Sequence, residues 1–224
     1  MSGDTLSAVL VIIGDITLKV VIPLLIAYLI GSLPTGYLVA RLRRGIDIRQ
    51  VGSRNMGAMN VFYQVGFWYG MMVLAVDIGK GAAAVALIRW MGWMGVPPVM
   101  ELLGGAAVVL GHSFTVFLKF RGGKGGATTI GVLIYLMPWG IPLYMAVFGL
   151  LLLITRFPTI SYSLAFVGFP FIAWLVYGRL EYVIFAIALL VLPGVKYVPR
   201  VMEMRARGGS WRHFFLRRGL KDRF

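Results

Sequence analysis

Cysteine is absent from this chain, so disulfides, thiolate metal sites and cysteine nucleophiles are excluded at once. Charge is scarce too: Asp and Glu number 8 in 224 residues, and charged residues of both signs make up only 13%. A soluble globular domain carries about 25% charged residues, so this chain cannot cover a water-facing surface. Histidine occurs only twice, and no long repeat or low-complexity tract is evident. No signal peptide is expected either. Residues 1–18 contain a mildly apolar segment, Leu6 to Ile16, but Asp4 and Asp15 occupy the place of a basic n-region and no small-residue cleavage site follows. The segment reads as an N-terminal extension that stays attached.

What is present is apolar: 59% of residues are hydrophobic and the mean hydropathy is +0.86. Several runs reach the roughly 20 residues needed to cross a bilayer. The expected class is an all-α polytopic membrane protein with about seven transmembrane helices. The first confident span is Val20 to Ala40, the second Gly70 to Met91, the third Val99 to Phe117. Residues 126–155 are too short for two full crossings, and Met137-Pro-Trp-Gly-Ile-Pro142 interrupts them, which predicts two short helices in a hairpin. Ile160 to Tyr177 and Tyr182 to Val195 form a second expected hairpin around Gly178-Arg-Leu-Glu181.

The formal charge of +14 invites a nucleic-acid reading, which the placement of the cations answers. Eighteen of the 22 fall in segments expected on one side of the membrane: residues 41–54, 119–124, Arg156 and the tail from Lys196. That is the pattern of a cytoplasmic face meeting anionic lipid, with no nucleic acid implied. The expected orientation puts the N-terminus outside and the C-terminus in the cytoplasm. The domain reading is an N-terminal extension at 1–18, a membrane domain at 19–199 and a basic cytoplasmic tail at 200–224. The expected location is the cell's inner (plasma) membrane, multi-pass, with the site facing the cytoplasm.

Chemistry concentrates in Gly111 to Gly131, where His112, Lys119, Arg121 and Lys124 stand among dense glycines and Thr128 and Thr129 follow. Glycines free backbone N–H groups to face an anion, Lys124 and Arg121 add charge, and His112 is able to move a proton. A nucleotide P-loop is excluded, because Lys124 is followed by Gly125 and the position five before Gly123 is Leu118. The soluble acyltransferase pattern of histidine and aspartate five residues later fails at Phe117. A second polar stretch, Gly52-Ser-Arg-Asn-Met-Gly-Ala-Met-Asn60, offers Ser53, Arg54, Asn55 and Asn60 around Gly57, a set suited to a phosphate and a polyol or to an ordinary interfacial turn. Asp77 and Lys80, three apart inside the second span, share a helical face and read first as a structural ion pair.

Several motifs in register carry a resemblance. They are Gly31-Ser-Leu-Pro-Thr-Gly-Tyr37, Gly45-Ile-Asp-Ile-Arg49, Gly52 to Asn60, Asp77-x-x-Lys-Gly81 and Gly111-His-x-Phe-x-Val-Phe-x-x-Phe-x-Gly-Gly-Lys-Gly125. Together, from about residue 24 to 156, they resemble the bacterial acyl-phosphate glycerol-3-phosphate acyltransferase family. The resemblance implies a seven-helix membrane enzyme that moves a long acyl chain from acyl phosphate to the 1-hydroxyl of glycerol 3-phosphate, yielding lysophosphatidic acid and phosphate, without cofactor or metal. It implies catalytic roles for His112, Lys124 and Ser53. It implies substrate contacts from Arg54, Asn55, Gly57, Asn60, Arg121, Gly122, Gly123, Gly125, Thr128, Thr159 and Ser161. The Arg156–Ser161 turn is expected to complete a composite site. The chain departs from the family pattern where Arg54 replaces a glycine, Met59 a threonine and Tyr63 an arginine. In Gly194-Val-Lys-Tyr-Val-Pro-Arg200 the C-terminal histidine and asparagine are missing. Those departures keep open the alternative of a catalytically weak relative that binds lipid phosphate or a partner protein.

Overall fold

The computed structural model describes residues 3–156 and 158–208, apart from some side chains near those limits. Every regular element among the described residues is a helix. Residues 1–136 and 137–224 form two compact units.

In the first unit, α1 (Gly3–Ile16) runs through a π turn (Thr17–Val21) into α2 (Ile22–Ser32). The widened turn falls just before Pro23, which has no N–H for the helical ladder. The helix therefore continues across residues 18 and 19, where the sequence reading set the limit of the extension. A true break comes later, at Leu33 and Pro34, and divides the expected Val20–Ala40 span. Beyond it α3 (Thr35–Arg44) ends at Gly45, left-handed at φ +68°, whose N–H closes on the Arg41 carbonyl. Arg41, Arg43 and Arg44 fill its last turn, where cations suit the negative end of the helix.

After a loop come α4 (Ala58–Gln64), α5 (Phe67–Met91), α6 (Val99–Ser113) and α7 (Gly126–Leu136). Two helix pairs are packed closely, and glycines permit it. A Cβ at Gly31 of α2 would lie 2.0 Å from the Val108 carbonyl oxygen of α6, and one at Gly111 of α6 would lie 2.0 Å from that of Tyr28. The same reciprocity joins α5 to α7, with Gly81 against the Thr128 carbonyl at 2.2 Å and Gly131 against that of Ile78 at 1.9 Å. Without these four hydrogens-for-methyls the backbones would separate, and the dispersion contacts that hold helices together in lipid would be lost. The α2–α6 seam is reinforced where Thr115 donates to the Ser32 carbonyl (2.5 Å) and Tyr28 to that of Phe114 (2.5 Å).

The second unit holds α8 (Gly140–Thr155), α9 (Pro158–Val167), α10 (Phe169–Tyr177) and α11 (Leu180–Gly208). Its core gathers Tyr144, Phe169, Ile172, Phe185 and Leu189, with the Tyr144 and Phe169 rings edge to face at 6.0 Å. The interruption expected at 137–142 is present, as the gap between α7 and α8. The second expected hairpin is altered: its first arm bends at Gly168, and its second arm belongs to the longer α11. Most of the basic tail, residues 209–224, lies outside the described residues.

The expected count of seven transmembrane helices is not met. By length and composition three described stretches are able to cross a membrane: Ser7–Arg44, Phe67–Met94 and Val99–Leu118. A fourth is added only if Ile160–Val167 and Phe169–Tyr177, bent by 43° at their junction, count as one span. Backbone breaks account for much of the difference. Helices α7 and α8 are 11 and 16 residues long, about 17 and 24 Å against a hydrocarbon core of about 30 Å. A hydropathy window sees the apolar run and not the breaks within it. The expected outside position of the N-terminus rested on an odd number of crossings, and it falls with the count. The chain remains an all-α, multi-pass membrane protein.

Candidate active site

The glycine stretch is organised by the end of α6. His112 and Ser113 close that helix, a short 3₁₀ turn (Val116–Leu118) follows, and the chain folds back so that the Gly123 N–H donates to the His112 carbonyl (3.0 Å) and the Gly122 N–H to that of Ser113 (3.2 Å). A Cβ at Gly123 would meet His112 Nε2 at 2.2 Å, and one at Gly122 would meet the His112 carbonyl oxygen at 2.2 Å. Gly125, at φ +85°, turns the chain into α7. Glycine here serves intimate seating on the histidine. Because the Gly122 and Gly123 N–H groups are spent internally, the donors left for an anion belong to the first turn of α7, at the positive end of that helix.

His112 is 2% exposed and lies beneath this loop, not at an open surface. Its Nδ1 is 3.6 Å from Asp77 Oδ1, beyond hydrogen-bond length but close enough for strong electrostatic interaction away from solvent. Asp77 in turn pairs with Lys80 at 2.8 Å, and Lys80 Nζ donates to the Leu33 carbonyl (3.0 Å) at the break between α2 and α3. The expected ion pair is thus present, and the inclusion of His112 is new. An i,i+3 spacing reveals the pair, whereas nothing local reveals its third member. Lys124 is half-buried and Arg121 exposed, while Thr128 is fully buried and its hydroxyl finds no hydrogen-bond partner among the described residues.

The second polar stretch is built on Asn60. Its amide donates to the carbonyls of Ile48 (2.9 Å), Val51 (3.1 Å) and Asn55 (2.8 Å), and its Oδ1 accepts the Ser53 N–H (3.0 Å). Asn60 is 3% exposed, so all of its hydrogen-bonding capacity shapes the loop. Gly57 is the N-cap of α4. Ser53 and Asn55 remain half-buried on the loop surface, and Arg54 is exposed with a left-handed φ of +54°. That conformation explains why a glycine suits the position and why Arg54 is strained there. Beside this loop, Arg49 grips Asp47 through two guanidinium nitrogens (2.7 and 3.0 Å) and lies 5.1 Å from the Tyr37 ring centroid. The hydrogen bonds from Arg49 hold the Asp47 carboxyl below its ordinary range.

The two stretches are neighbours. Leu118, from the turn after α6, packs on the cluster of Val39, Ile48, Met56 and Val61 that underlies the Asn60 loop. The other expected site residues belong to the second unit. There Ser161 is buried with its hydroxyl 2.7 Å from that of Thr155, while the side chain of Thr159 lies outside the described residues.

In sequence and in fold the chain is similar to known proteins. Residues 21–205 fit the sequence profile of a family described as Glycerol-3-phosphate acyltransferase. Glycerol-3-phosphate acyltransferase 2 of Dehalococcoides mccartyi is 49% identical over 209 residues, 92% of this chain and 98% of that protein. The glycerol-3-phosphate acyltransferase of Bacillus velezensis is 40% identical over 167 residues, 75% of this chain and 83% of its own length. Among solved structures, the crystal structure of PlsY, an integral membrane glycerol 3-phosphate acyltransferase, in its glycerol 3-phosphate form superposes with a TM-score of 0.75 at 28% identity, covering 84% of this chain and 92% of that one. Its lysophosphatidic acid form gives 0.73 over the same shares. With the profile spanning most of its length and relatives at 49% and 40% identity covered over 98% and 83% of theirs, the chain belongs to the glycerol-3-phosphate acyltransferase family.

Proposed function

We propose that the protein transfers a long acyl chain from an acyl phosphate to the 1-hydroxyl of sn-glycerol 3-phosphate, in the inner membrane and with the reacting groups at the cytoplasmic face. The observation that carries this reading is the Gly122–Gly125 loop seated on buried His112 and leading directly into the first turn of α7, next to the Asn60 loop. In the reaction the hydroxyl oxygen of glycerol 3-phosphate attacks the acyl carbonyl carbon. The bond from that carbon to the phosphate oxygen breaks, and the hydroxyl proton leaves with the released phosphate or through His112. The products are lysophosphatidic acid and inorganic phosphate.

The donor is already activated, so the protein's task is to bind two phosphates, align hydroxyl with carbonyl and stabilise the developing oxyanion. Lys124 and the first-turn N–H groups of α7 suit one phosphate, with Thr128 and Arg121 beside them. Ser53, Arg54 and Asn55 suit the other phosphate and the polyol, on a loop that Asn60 and Gly57 hold in shape. The chain divides, on this reading, into an extension (1–18), a catalytic membrane domain (19–199) and a tail (200–224) whose cations meet anionic lipid.

Two experiments test this. Purified protein in lipid nanodiscs, supplied with palmitoyl phosphate and glycerol 3-phosphate, is expected to make lysophosphatidate, and Lys124→Ala to lower the rate by about two orders of magnitude. Equal rates in the two would remove the loop from the site. The lack of cysteine makes orientation simple to read: Lys119→Cys should react with a membrane-impermeant maleimide in inside-out vesicles and not in intact cells. The opposite labelling would place the site on the outer face.

A further inference from the structure

Asp77 and Lys80 sit in the middle of α5 at 2% and 6% exposure. Burying such a pair gains little over apolar side chains of the same size, because desolvation offsets most of the attraction. Ionised groups within membrane helices are retained chiefly where they serve a function. What distinguishes this pair is its connections. Through Lys80 it reaches the Leu33 carbonyl at the break between α2 and α3 (3.0 Å), and through Asp77 it reaches His112 (3.6 Å). The opposite edge of the His112 ring, Nε2, touches Gly123, and the backbone of His112 accepts the Gly123 N–H. Four segments distant in sequence therefore meet through one carboxylate and one ammonium.

We propose that Asp77 and Lys80 are a positioning pair for acyl transfer: the carboxylate, shared between Lys80 and His112, sets the seat of the Gly122–Gly125 loop and ties it to the α2–α3 break. The pair touches no substrate. It fixes where the imidazole stands, and the imidazole fixes where the loop delivers Lys124 and the first turn of α7. Removing either charge alone strands the other in the interior, so the informative change removes both. This inference rests on the reading of the glycine loop as part of the site.

The test compares wild type, Asp77→Asn/Lys80→Met and His112→Ala in nanodiscs, with kcat and KM measured separately for acyl phosphate and for glycerol 3-phosphate on protein shown to be folded by thermal melting. The double variant should lose about tenfold to a hundredfold in kcat/KM, as expected when a reacting geometry moves by an ångström or less. The increase in KM should fall on whichever substrate presents its phosphate to the loop. A pair that only stabilises the fold would lower yield and melting temperature and leave both constants at wild-type values, and that result overturns the proposal alone, provided that His112→Ala is impaired. Wild-type activity in His112→Ala overturns the proposal together with the reading beneath it. Where the double variant yields no folded protein, wild type labelled with ¹⁵N-histidine decides. His213→Gln assigns the two imidazoles, and titration with inorganic phosphate should shift the His112 resonances. Unmoved resonances overturn the proposal.

Discussion

Replacing Asn60 with alanine should unfasten the Ser53 loop without unfolding the helices around it. Two amide hydrogens are shared among the carbonyls of Ile48, Val51 and Asn55, and one further bond is accepted from Ser53. At about 1 kcal/mol net for each of the three protons involved, the bonds contribute roughly 3 kcal/mol. Ile48 is wholly buried, and stranding its carbonyl adds about 1–2 kcal/mol, for a total of about 4–5 kcal/mol. At about 1.4 kcal/mol per factor of ten, the open form of the loop gains about three to three and a half orders of magnitude. Hydrogen–deuterium exchange in nanodiscs reads this directly. Protection of residues 48–60 should collapse by that factor while peptides from α6 and α7 stay as in wild type, and the KM for glycerol 3-phosphate should rise. Asn60→Asp sharpens the case: it preserves volume and the acceptor, but loses the donors and sets a carboxylate against three carbonyls. Wild-type protection in either variant would refute the idea that the amide holds the loop.

The remaining predictions concern other positions, all but Gly149 in the first unit. Gly111→Ala should force α2 and α6 apart, because its methyl would lie 2.0 Å from the Tyr28 carbonyl oxygen; an overpacking cost of about 1–3 kcal/mol lowers the melting temperature by several degrees. Gly149→Ala, inside α8 with nothing within 4 Å, should not lower it and should raise it slightly by helix propensity. Arg54→Gly should relieve about 1–2 kcal/mol of left-handed strain, offset in part by the entropy of the unfolded chain. Melting should then move little, while KM for a phosphate substrate rises about threefold to tenfold if the guanidinium contributes a charge-assisted contact; unchanged kinetics would remove Arg54 from the site. The Asp47 carboxyl is held below its unfolded value, so its contribution is present above the unfolded pKa of about 3.9 and disappears as pH falls through the folded value. Asp47→Asn should therefore destabilise by less than about 1 kcal/mol at neutral pH, and the difference from wild type should vanish in acid. A gap that persists in acid would contradict the ion-pair account.

The features of the proposed site that were readable in the sequence are those whose signals are local. Gly122 to Gly126 and the adjoining Thr128 announce an anion-facing turn by composition, and Asp77 and Lys80 announce a shared face by spacing. The break at 137–139 follows from Pro138 and Gly140. What escaped the sequence depends on contacts made at a distance. His112 joins Asp77 from another helix, 35 positions on. Asn60 closes on carbonyls 5, 9 and 12 residues away, so its amide reads as available for substrate until the loop is seen wrapped around it. The strain at Arg54 is a backbone angle, and residue type alone does not reveal it. The number of crossings went astray for a related reason. Apolar composition is continuous from residue 126 to 155, but the break at Pro138 leaves helices of 11 and 16 residues, shorter than a bilayer, and the bend at Gly168 interrupts the next run.

The central claim is that this chain performs acyl transfer from an acyl phosphate, and product stoichiometry tests it most directly. Purified protein in nanodiscs is given radiolabelled glycerol 3-phosphate with either palmitoyl phosphate or palmitoyl-CoA. The account predicts lysophosphatidate and inorganic phosphate in equal amounts from palmitoyl phosphate, and no labelled lipid from the thioester. Absence of labelled lipid with palmitoyl phosphate, under conditions where the protein is folded and embedded in membrane, would contradict it.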